Sequence, residues 1–255
     1  MDKPVIYEHP LNERVRTMLR LEHLFGQARH YLAGASSWDS RVFITTLMNV
    51  LDLFSRGDLK TELLKEVERA TNNLKRLMEY PNVDHSRLKT ILRALDHVYN
   101  GLHGTNHQLG QTLRDDEFLA GIRQRTSIPG GTCDFDLPAY HQWLQRPTEQ
   151  RATAQAEWFA SLEAVRQAVE LVLKLIRNSA EPSEQVAEAG AYQQALDPNQ
   201  PYQIIRIQLP ANASYYPEVS GGRHRFTIRF LTLGENKRPK QVSEEIRFQV
   251  SCCNL

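Results

Sequence analysis

The apolar residues of this chain follow two different periods, one in the N-terminal part and another near the C-terminus. Up to about residue 180 they recur every three or four positions, which is the spacing of helices with one buried face. From about residue 202 they alternate with polar residues, as in β-strands with one buried face. The pattern predicts an α+β protein, with a mostly helical bundle domain and a smaller C-terminal antiparallel β domain.

The change of period also suggests where the domains divide. With 255 residues the chain is long enough for one domain or two. We expect a helical domain over residues 1–180 and a β domain over residues 181–255, with the N-terminal segment 1–9 as an edge strand of the β domain. Between Glu181 and Pro201 the chain is polar and rich in proline, and Val186–Tyr192 is a candidate for a further edge strand.

Capping residues place the first helices. Asn12 can begin a helix that runs to about Leu32, and Gly57 can end the second helix because glycine readily adopts the left-handed conformation. Asp58 and Asp84 are suited to cap the third and fourth helices. Short connections between these helices favour antiparallel packing.

Two longer helices are expected in the second half of the helical domain, one around Gln108–Arg125 and one following Pro147. The second carries an apolar seam at alternating spacings of four and three, formed by Trp158, Leu162, Val165, Val169, Val172 and Ile176. Such a seam packs against other helices, either inside a bundle or across a subunit boundary.

The segment Arg223–Phe230 has opposite chemistry on its two faces when it is read as a β-strand. One face holds apolar side chains for a core, namely Phe226, Ile228 and Phe230. The other face holds permanent positive charge, namely Arg223, Arg225 and Arg229. Guanidinium groups are planar, fixed donors that suit carboxylates and phosphates.

Two flanking strands also place arginine at outward positions, Arg206 in Tyr202–Leu209 and Arg247 in Glu244–Ser251. If the three strands are neighbours, all five arginines share one sheet face, opposed by Glu245 alone. An ordinary solvated face is the alternative, since antiparallel sheets often expose one charged side. The unbalanced charge favours a binding face.

The charge of the chain is distributed unevenly. Its net charge is +1, but residues 201–255 contain eight Lys and Arg against four Asp and Glu, so they carry +4 and the remainder carries −3. This asymmetry argues against a generally basic protein that coats nucleic acid and favours one localised cationic site. A second basic stripe, on the first helix, is either functional or an ordinary solvated face; it consists of Arg16, Arg20, His23, Gln27 and His30.

The residues offer no frame for catalysis or for a cofactor. His103 and His107 are four apart, but Gly104 should end the helix between them and no further ligands accompany them. The three cysteines, Cys133, Cys252 and Cys253, form a poor disulfide framework and are expected to be free thiols in a reducing cytosol. The N-terminus lacks a signal-peptide pattern, and no stretch approaches the roughly 20 apolar residues of a membrane span. We therefore expect a cytoplasmic protein.

Several short blocks, in one order along nearly the whole chain, carry a resemblance. They include Glu8-His9-Pro10-Leu11-Asn12-Glu13, Arg56-Gly57, Ile128-Pro129-Gly130-Gly131, Phe135-Asp136-Leu137-Pro138, Tyr216-Pro217 and Arg225-Phe226. With these blocks the chain resembles the ZapD family of bacterial cell-division proteins, which associate with FtsZ. The resemblance implies a non-enzymatic homodimer that binds the C-terminal tail of FtsZ. It also implies that the dimer cross-links and bundles FtsZ filaments and so stabilises the Z-ring at mid-cell during septum assembly.

The resemblance also implies site residues. Arg20 and His141 match charged residues of the helical domain implicated in bundling, whereas Glu117 stands where relatives carry arginine. In the β domain Arg223, Arg225 and Arg229 keep the expected pattern, with Lys240 in the turn before the last strand. The principal FtsZ-binding site is therefore expected on the β domain.

The alternative binding function is recognition of nucleic acid by the same basic sheet face. That function needs aromatic side chains on the cationic face for base stacking, and Phe226 and Phe230 have the opposite parity. We expect no nucleic-acid partner, no membrane partner and no cofactor. An enzyme ranks third, since neither a metal frame nor a nucleophile frame is present.

Overall fold

The computed structural model describes residues 3–104, 107–234 and 238–255, and its element order confirms the α+β prediction. The helices are α1 Glu13–Leu32, α2 Ser37–Phe54, α3 Leu59–Leu77, α4 His85–His103, α5 Gln111–Arg114, α6 Glu117–Thr126, α7 Pro138–Leu144, α8 Thr148–Ala160 and α9 Glu163–Arg177. The strands are β1 Val5–Pro10, β2 Ser183–Ala187, β3 Ala191–Ala195, β4 Tyr202–Leu209, β5 Tyr216–Gly221, β6 Arg225–Leu233, β7 Pro239–Gln241 and β8 Ile246–Asn254.

The predicted caps form. The side chains of Asn12, Asp58 and Asp84 each accept a hydrogen bond, at 2.9–3.1 Å, from the backbone N–H three residues later. Each thereby satisfies one of the N–H groups that a helix N-terminus leaves without a partner. Gly57 follows α2 with a φ of +85°, the left-handed conformation that the sequence predicted.

Two predicted helices are broken in the structure. The segment Gln108–Arg125 forms α5 and α6, because Asp116 leaves the helical conformation and its side chain caps α6 at the backbone N–H of Leu119. The helix predicted after Pro147 is divided into α8 and α9 at Ser161 and Leu162. The seam residues Leu162, Val165, Val169, Val172 and Ile176 are nevertheless at most 4 % exposed within the single chain, whereas Trp158 on α8 is half-buried.

The chain separates into two compact units. One contains Met1–Arg16 and Leu173–Leu255, and the other contains Thr17–Val172. The first unit therefore holds all the strands together with the first residues of α1 and the last of α9, and the second holds the remaining helical residues. The unit of strands thus includes the end of α9, from Leu173 onward. The observed boundary therefore lies N-terminal to the one expected at residue 180.

The strands form two antiparallel sheets. The first sheet has the order β1-β4-β8-β2, and the second has the order β3-β6-β5 with β7 paired to the C-terminal end of β6. β1 lies at the edge of the first sheet, where Val5 is opposite Leu209 and Pro10 is opposite Ile204. The N-terminal segment is thus one strand of this sheet.

The inner faces of the two sheets share one apolar core, which makes the first unit a β-sandwich. The inward residues of β4, β6 and β8 are at most 4 % exposed; they are Ile205, Ile207, Leu209, Phe226, Ile228, Phe230, Ile246, Phe248 and Val250. The rings of Phe230 and Phe248, one from each sheet, lie 5.0 Å apart. The predicted inward parity of all three strands is therefore confirmed.

The single edge strand predicted over Val186–Tyr192 is wrong. The segment turns at Ala189 and Gly190, both with positive φ, and its two halves join different sheets as β2 and β3. A Cβ atom at Gly190 would lie 2.2 Å from the carbonyl oxygen of Val242, so this turn requires glycine.

Candidate functional site

The outer face of the second sheet carries the candidate site. On the central strand β6 the outward residues Arg225, Thr227 and Arg229 alternate with the buried residues of the core. We call this surface the arginine face. It is flanked on β3 by the exposed residues Ala191, Gln193 and Ala195, and on β5 by the exposed residues Glu218 and Ser220.

Arg225 is the accessible cation of the arginine face. It is exposed and lies opposite Ala195 on β3, a side chain too small to cover it. In the described part of the chain it makes no ion pair with a carboxylate. Its guanidinium can therefore accept an external carboxylate in the bidentate geometry that arginine favours.

Arg229 already has a partner within the sheet. Its guanidinium forms an ion pair with the carboxylate of Glu218, which lies directly opposite it on β5. The two side chains are 57 % and 53 % exposed, so water screens the pair and an incoming anion can reach it. Glu218 was not among the residues predicted from the sequence. Their pairing could have been predicted from the sequence, because Glu218 and Arg229 lie the same number of residues from a hairpin turn centred on Arg223 and His224.

Arg223 does not lie on the strand, which corrects the expectation that it shares the face of Arg225. β6 begins at Arg225, and Arg223 and His224 form the turn between β5 and β6, closed by a 3.0 Å hydrogen bond from Gly222 N–H to the Arg225 carbonyl. The exposed Arg223 lines a pocket of about 410 Å³ at this end of the sandwich. It therefore borders the arginine face at one end.

Lys240 also lies away from the arginine face. It is exposed and opposes Thr232 in the pairing of β7 with β6, and Thr232 has the parity of the inward residues Ile228 and Phe230. Because directly opposed residues of antiparallel strands project to the same side, Lys240 leaves the sheet on the side opposite Arg225 and Arg229.

Arg206 and Arg247 lie on the outer face of the other sheet, so the prediction that five arginines share one face is wrong. Both occupy outward positions, Arg206 on β4 and Arg247 on β8. The sandwich core therefore separates them from Arg225 and Arg229. Arg247 is exposed and has a loose contact of 3.7 Å with Glu245.

Arg206 takes part in a half-buried cluster of charges. Its guanidinium donates to Glu8 on β1 at 2.9 Å, and Arg177 at the end of α9 donates to the other oxygen of Glu8 at 2.7 Å. Burial raises the pKa of Glu8, but the hydrogen bonds and charges of Arg177 and Arg206 outweigh that effect, and the net pKa lies below its ordinary value of 4.5. Arg206 is thus ion-paired within the protein, where it shares the carboxylate of Glu8 with Arg177.

The candidate residues of the helical unit are exposed. Arg20 projects from α1 and His141 from α7, and neither side chain has a hydrogen bond or ion pair to another described residue. Glu117 is the first residue of α6 and is also exposed, so the acidic side chain at this position is accessible. Among the described residues, these three groups are linked by no direct bond.

The cysteines and acidic groups do not suggest a reactive centre. Within the described ranges, no three or more His, Cys, Asp and Glu side chains are grouped as metal ligands would be. Cys133 is exposed, whereas burial, and to a smaller extent the neighbouring Cys253, raises the pKa of Cys252 to about 11.

None of the helices within the described ranges is both long and apolar enough to cross a membrane.

Comparison with known proteins decides the family. The family model of ZapD, described as a cell division protein, matches residues 19–229, which is most of the chain. This chain belongs to the ZapD family. The "Cell division protein ZapD" of Methylococcus capsulatus is 40 % identical over 255 residues, covering 100 % of both chains. The proteins of the same description from Coxiella burnetii and Ralstonia pickettii are each 38 % identical, over 253 and 252 residues.

The coverage of these ZapD relatives extends over both units. The Coxiella protein is matched over 98 % of each chain, and the Ralstonia protein over 98 % of this chain and 100 % of its own. The matched residues therefore include both the helical part of this chain and its strands. A role in cell division follows for the family to which this chain belongs.

Proposed function

We propose that this protein is a non-enzymatic cell-division factor that binds the C-terminal tail of FtsZ through the arginine face. As a homodimer it cross-links and bundles FtsZ filaments and stabilises the Z-ring at mid-cell in the cytoplasm. The observation that supports the proposal most directly is the exposed Arg225 on an open sheet face, in a chain whose relatives are cell division proteins.

The chemistry of the face suits an extended acidic peptide. Arg225 and Arg229 have the same parity and are separated by Thr227, so their Cα atoms are about 13 Å apart along a strand that rises roughly 3.3 Å per residue. Carboxylates spaced along an extended chain can meet both guanidinium groups. The small residues of β3 beside them leave room for the backbone of a bound peptide.

Cross-linking follows from two modest sites on one dimer. A peptide interface of this size binds at about micromolar strength, and a filament that presents many tails converts weak single contacts into strong overall attachment. Arg20 and His141 of the helical unit are proposed as secondary contacts in bundling. The acidic Glu117 should weaken any anion contact at its own position.

The groups of the arginine face support a binding role over a catalytic one. A guanidinium is neither a nucleophile nor a general base at neutral pH, because it stays protonated in proteins. Binding of an anion is the chemistry that it can perform in this setting. The description of the relatives as cell division proteins agrees with such a role.

The nucleic-acid alternative is disfavoured by the aromatic residues of β6. Phe226 and Phe230 are 0 % exposed and belong to the sandwich core, so they cannot stack on bases. An electrophoretic shift assay with single-stranded and duplex oligonucleotides separates the two functions. A shift at low micromolar protein that Arg225→Glu abolishes would favour nucleic acid.

Co-sedimentation with polymerised FtsZ tests the proposal. The protein should pellet with filaments of full-length FtsZ and should remain in the supernatant with filaments that lack the C-terminal tail. Binding should weaken as salt rises from 0.05 to 0.5 M, because the screening length falls below about 10 Å. Equal pelleting with both kinds of filament would refute recognition of the tail.

A further inference from the structure

The pocket beside Arg223 has the composition of a subsite for a peptide side chain. We call it the turn pocket. Its lining comes from three parts of the β-sandwich unit: the junction of β1 and α1, the connection from β3 to β4, and the turn between β5 and β6. The residues that matter for its chemistry are Leu11, Leu196, Pro198, Tyr202, Gly222 and Arg223.

The lining of the turn pocket combines apolar side chains with the amide side chains of Asn12, Asn199 and Gln200. Leu196 is 5 % exposed, Leu11 and Tyr202 are half-buried, and Pro198 and Pro201 complete the wall without adding N–H donors. At about 410 Å³ the pocket lies within the roughly 300–1,000 Å³ range of sites that bind small ligands. It has room for one apolar side chain with part of its backbone.

The walls are held in place before any ligand arrives. The N–H of Leu11 donates to the carbonyl of Gln203 at 2.9 Å, and the N–H of Leu196 donates to the carbonyl of His224 at 2.8 Å. The first bond ties the junction of β1 and α1 to β4, and the second ties the connection from β3 to β4 to the turn between β5 and β6. A preformed pocket loses little conformational entropy when it binds a ligand.

The charge of the turn pocket is positive. Arg223 is the one ionisable cation among the lining residues, no Asp or Glu is among them, and Arg223 makes no ion pair with any described carboxylate. A pocket that offers apolar side chains, amide groups and a single guanidinium suits a peptide residue whose apolar side chain lies next to polar backbone groups and a carboxylate.

The turn pocket continues the arginine face. Arg223 is two residues from Arg225, whose outward side chain begins that face. A peptide that lies along β6 can therefore place one residue in the pocket while its neighbouring carboxylates meet Arg223 and Arg225.

We propose that the turn pocket binds one apolar side chain of the acidic peptide held by the arginine face, and that Arg223 binds a carboxylate adjacent to that side chain. The proposal rests on the proposed function for the identity of the peptide. The carboxylate belongs either to an Asp or Glu side chain or to the end of the peptide chain.

Gly222→Phe introduces a large side chain at the lining of the turn pocket. Gly222 lines the pocket, its φ is not in the left-handed range, and a Cβ atom there would have no atom within 4 Å. The matched control is Gly26→Phe on α1, in the helical unit, where a Cβ atom also has open space. Circular dichroism should show the same fold for both variants.

Calorimetric titration with the C-terminal tail peptide of FtsZ provides the main readout. Gly222→Phe should weaken binding at least tenfold, and Gly26→Phe should change it less than twofold. When one apolar residue of the peptide is replaced by Ser, the loss caused by Gly222→Phe should fall below twofold, since both changes remove the same contact. If Gly222→Phe changed the affinity for the unmodified peptide less than twofold, the proposal for the turn pocket would be overturned. The proposal that the arginine face binds the peptide would be unaffected.

Arg223→Gln should weaken binding about five- to tenfold without affecting the apolar contact. Amidation of the peptide C-terminus then identifies the carboxylate. If amidation causes the same loss and the two losses do not add, the terminal carboxylate is bound; if amidation has no effect, an Asp or Glu side chain is bound. Unchanged binding by Arg223→Gln would contradict the assigned role of Arg223.

A small probe tests the turn pocket without FtsZ. N-acetyl-L-leucine should produce saturable NMR shifts at the amides of Leu196 and Gly222, whereas acetate should not, and Arg223→Gln should reduce the shifts. If the FtsZ peptide fails to bind while N-acetyl-L-leucine binds, the proposed function is wrong and the pocket serves another ligand. If neither the probe nor Gly222→Phe has an effect, the pocket proposal is overturned.

Discussion

Arg229 and Glu218 face each other across β6 and β5 and form an ion pair on the outer surface of the second sheet. Both side chains are more than half exposed, so the pair stabilises the fold by at most about 1 kcal/mol. Its larger consequence is for binding, because Glu218 competes with any external carboxylate for Arg229. The arginine face thus contains one accessible cation, Arg225, and one occupied cation, Arg229.

Removal of that competition should strengthen the site. Glu218→Gln keeps the shape of the side chain but frees Arg229, so the affinity for the FtsZ tail peptide should rise about two- to fivefold. Isothermal titration at low salt measures the change. Glu245→Gln, which removes the corresponding acid beside Arg247 on the other sheet, should leave the affinity unchanged. Equal effects of the two variants would mean that net charge, and not this pair, governs binding.

Charge reversal should separate the two outer faces of the sandwich. Arg225→Glu should lower the affinity for FtsZ filaments by at least about tenfold, because attraction of the acidic tail becomes repulsion. Arg247→Glu carries the same change of charge on the first sheet and should bind as the wild type does. Co-sedimentation measures both, with circular dichroism as the test of folding. If Arg247→Glu lowered the affinity as much as Arg225→Glu, the arginine face could no longer be distinguished from the outer face of the first sheet as the binding surface.

The cluster of Glu8, Arg177 and Arg206 should make stability depend on pH. The pKa of Glu8 is lower in the folded protein than its ordinary value of 4.5, so the ionised carboxylate stabilises the fold above that pH. Glu8→Gln should lower the free energy of unfolding at pH 7 by about 1–3 kcal/mol. The difference from the wild type should shrink as the pH falls below 4.5 and the wild-type carboxylate becomes protonated.

Denaturant unfolding between pH 3.5 and pH 7 measures this dependence. Glu184→Gln on β2 is the control, because Glu184 is exposed and lies outside the cluster of Glu8, Arg177 and Arg206. A deficit of Glu8→Gln that stays constant over the whole pH range would show that the ionised carboxylate is not what stabilises the edge strand β1.

The apolar seam of α9 should be essential to the helical unit. Val165 is 4 % exposed and Val169 is 0 % exposed within a single chain. Replacement of both by Asp should cost more than about 4 kcal/mol and abolish the cooperative unfolding of the helices, because two carboxylates would be buried without partners. Ala156→Asp on the exposed side of α8 should be tolerated. A folded double variant with wild-type helical content would show that the seam packs elsewhere.

The sequence predicted the local structure well where one residue determines it. Asn12, Asp58, Asp84 and Gly57 mark helix ends because their side chains or φ angles act on the backbone beside them. The break between α8 and α9 could not be seen in the same way. Leu162 lies in the break and is still buried, so the apolar spacing continues across it.

The candidate site was only partly predictable, because strand parity reports which residues face a core and not which sheet they join. Arg206 and Arg225 both alternate with buried residues, yet a sandwich has two outer faces and each arginine lies on a different one. The side of the sheet on which Lys240 lies depends on the register of β7 with β6, and no local sequence pattern determines that register. The pairing of Arg229 with Glu218 could have been predicted, since the two residues occupy matching positions on the two strands of the hairpin.

Residue-resolved NMR of the ¹⁵N-labelled protein, titrated with the C-terminal tail peptide of FtsZ, shows whether the arginine face is the surface that binds the tail. Saturable shifts are expected at Arg225, Thr227 and Arg229 together with their neighbours Gln193 and Ser220. Shifts confined to Arg247 and its neighbours on the first sheet, or to Arg20 and His141 in the helical unit, would contradict binding at the arginine face.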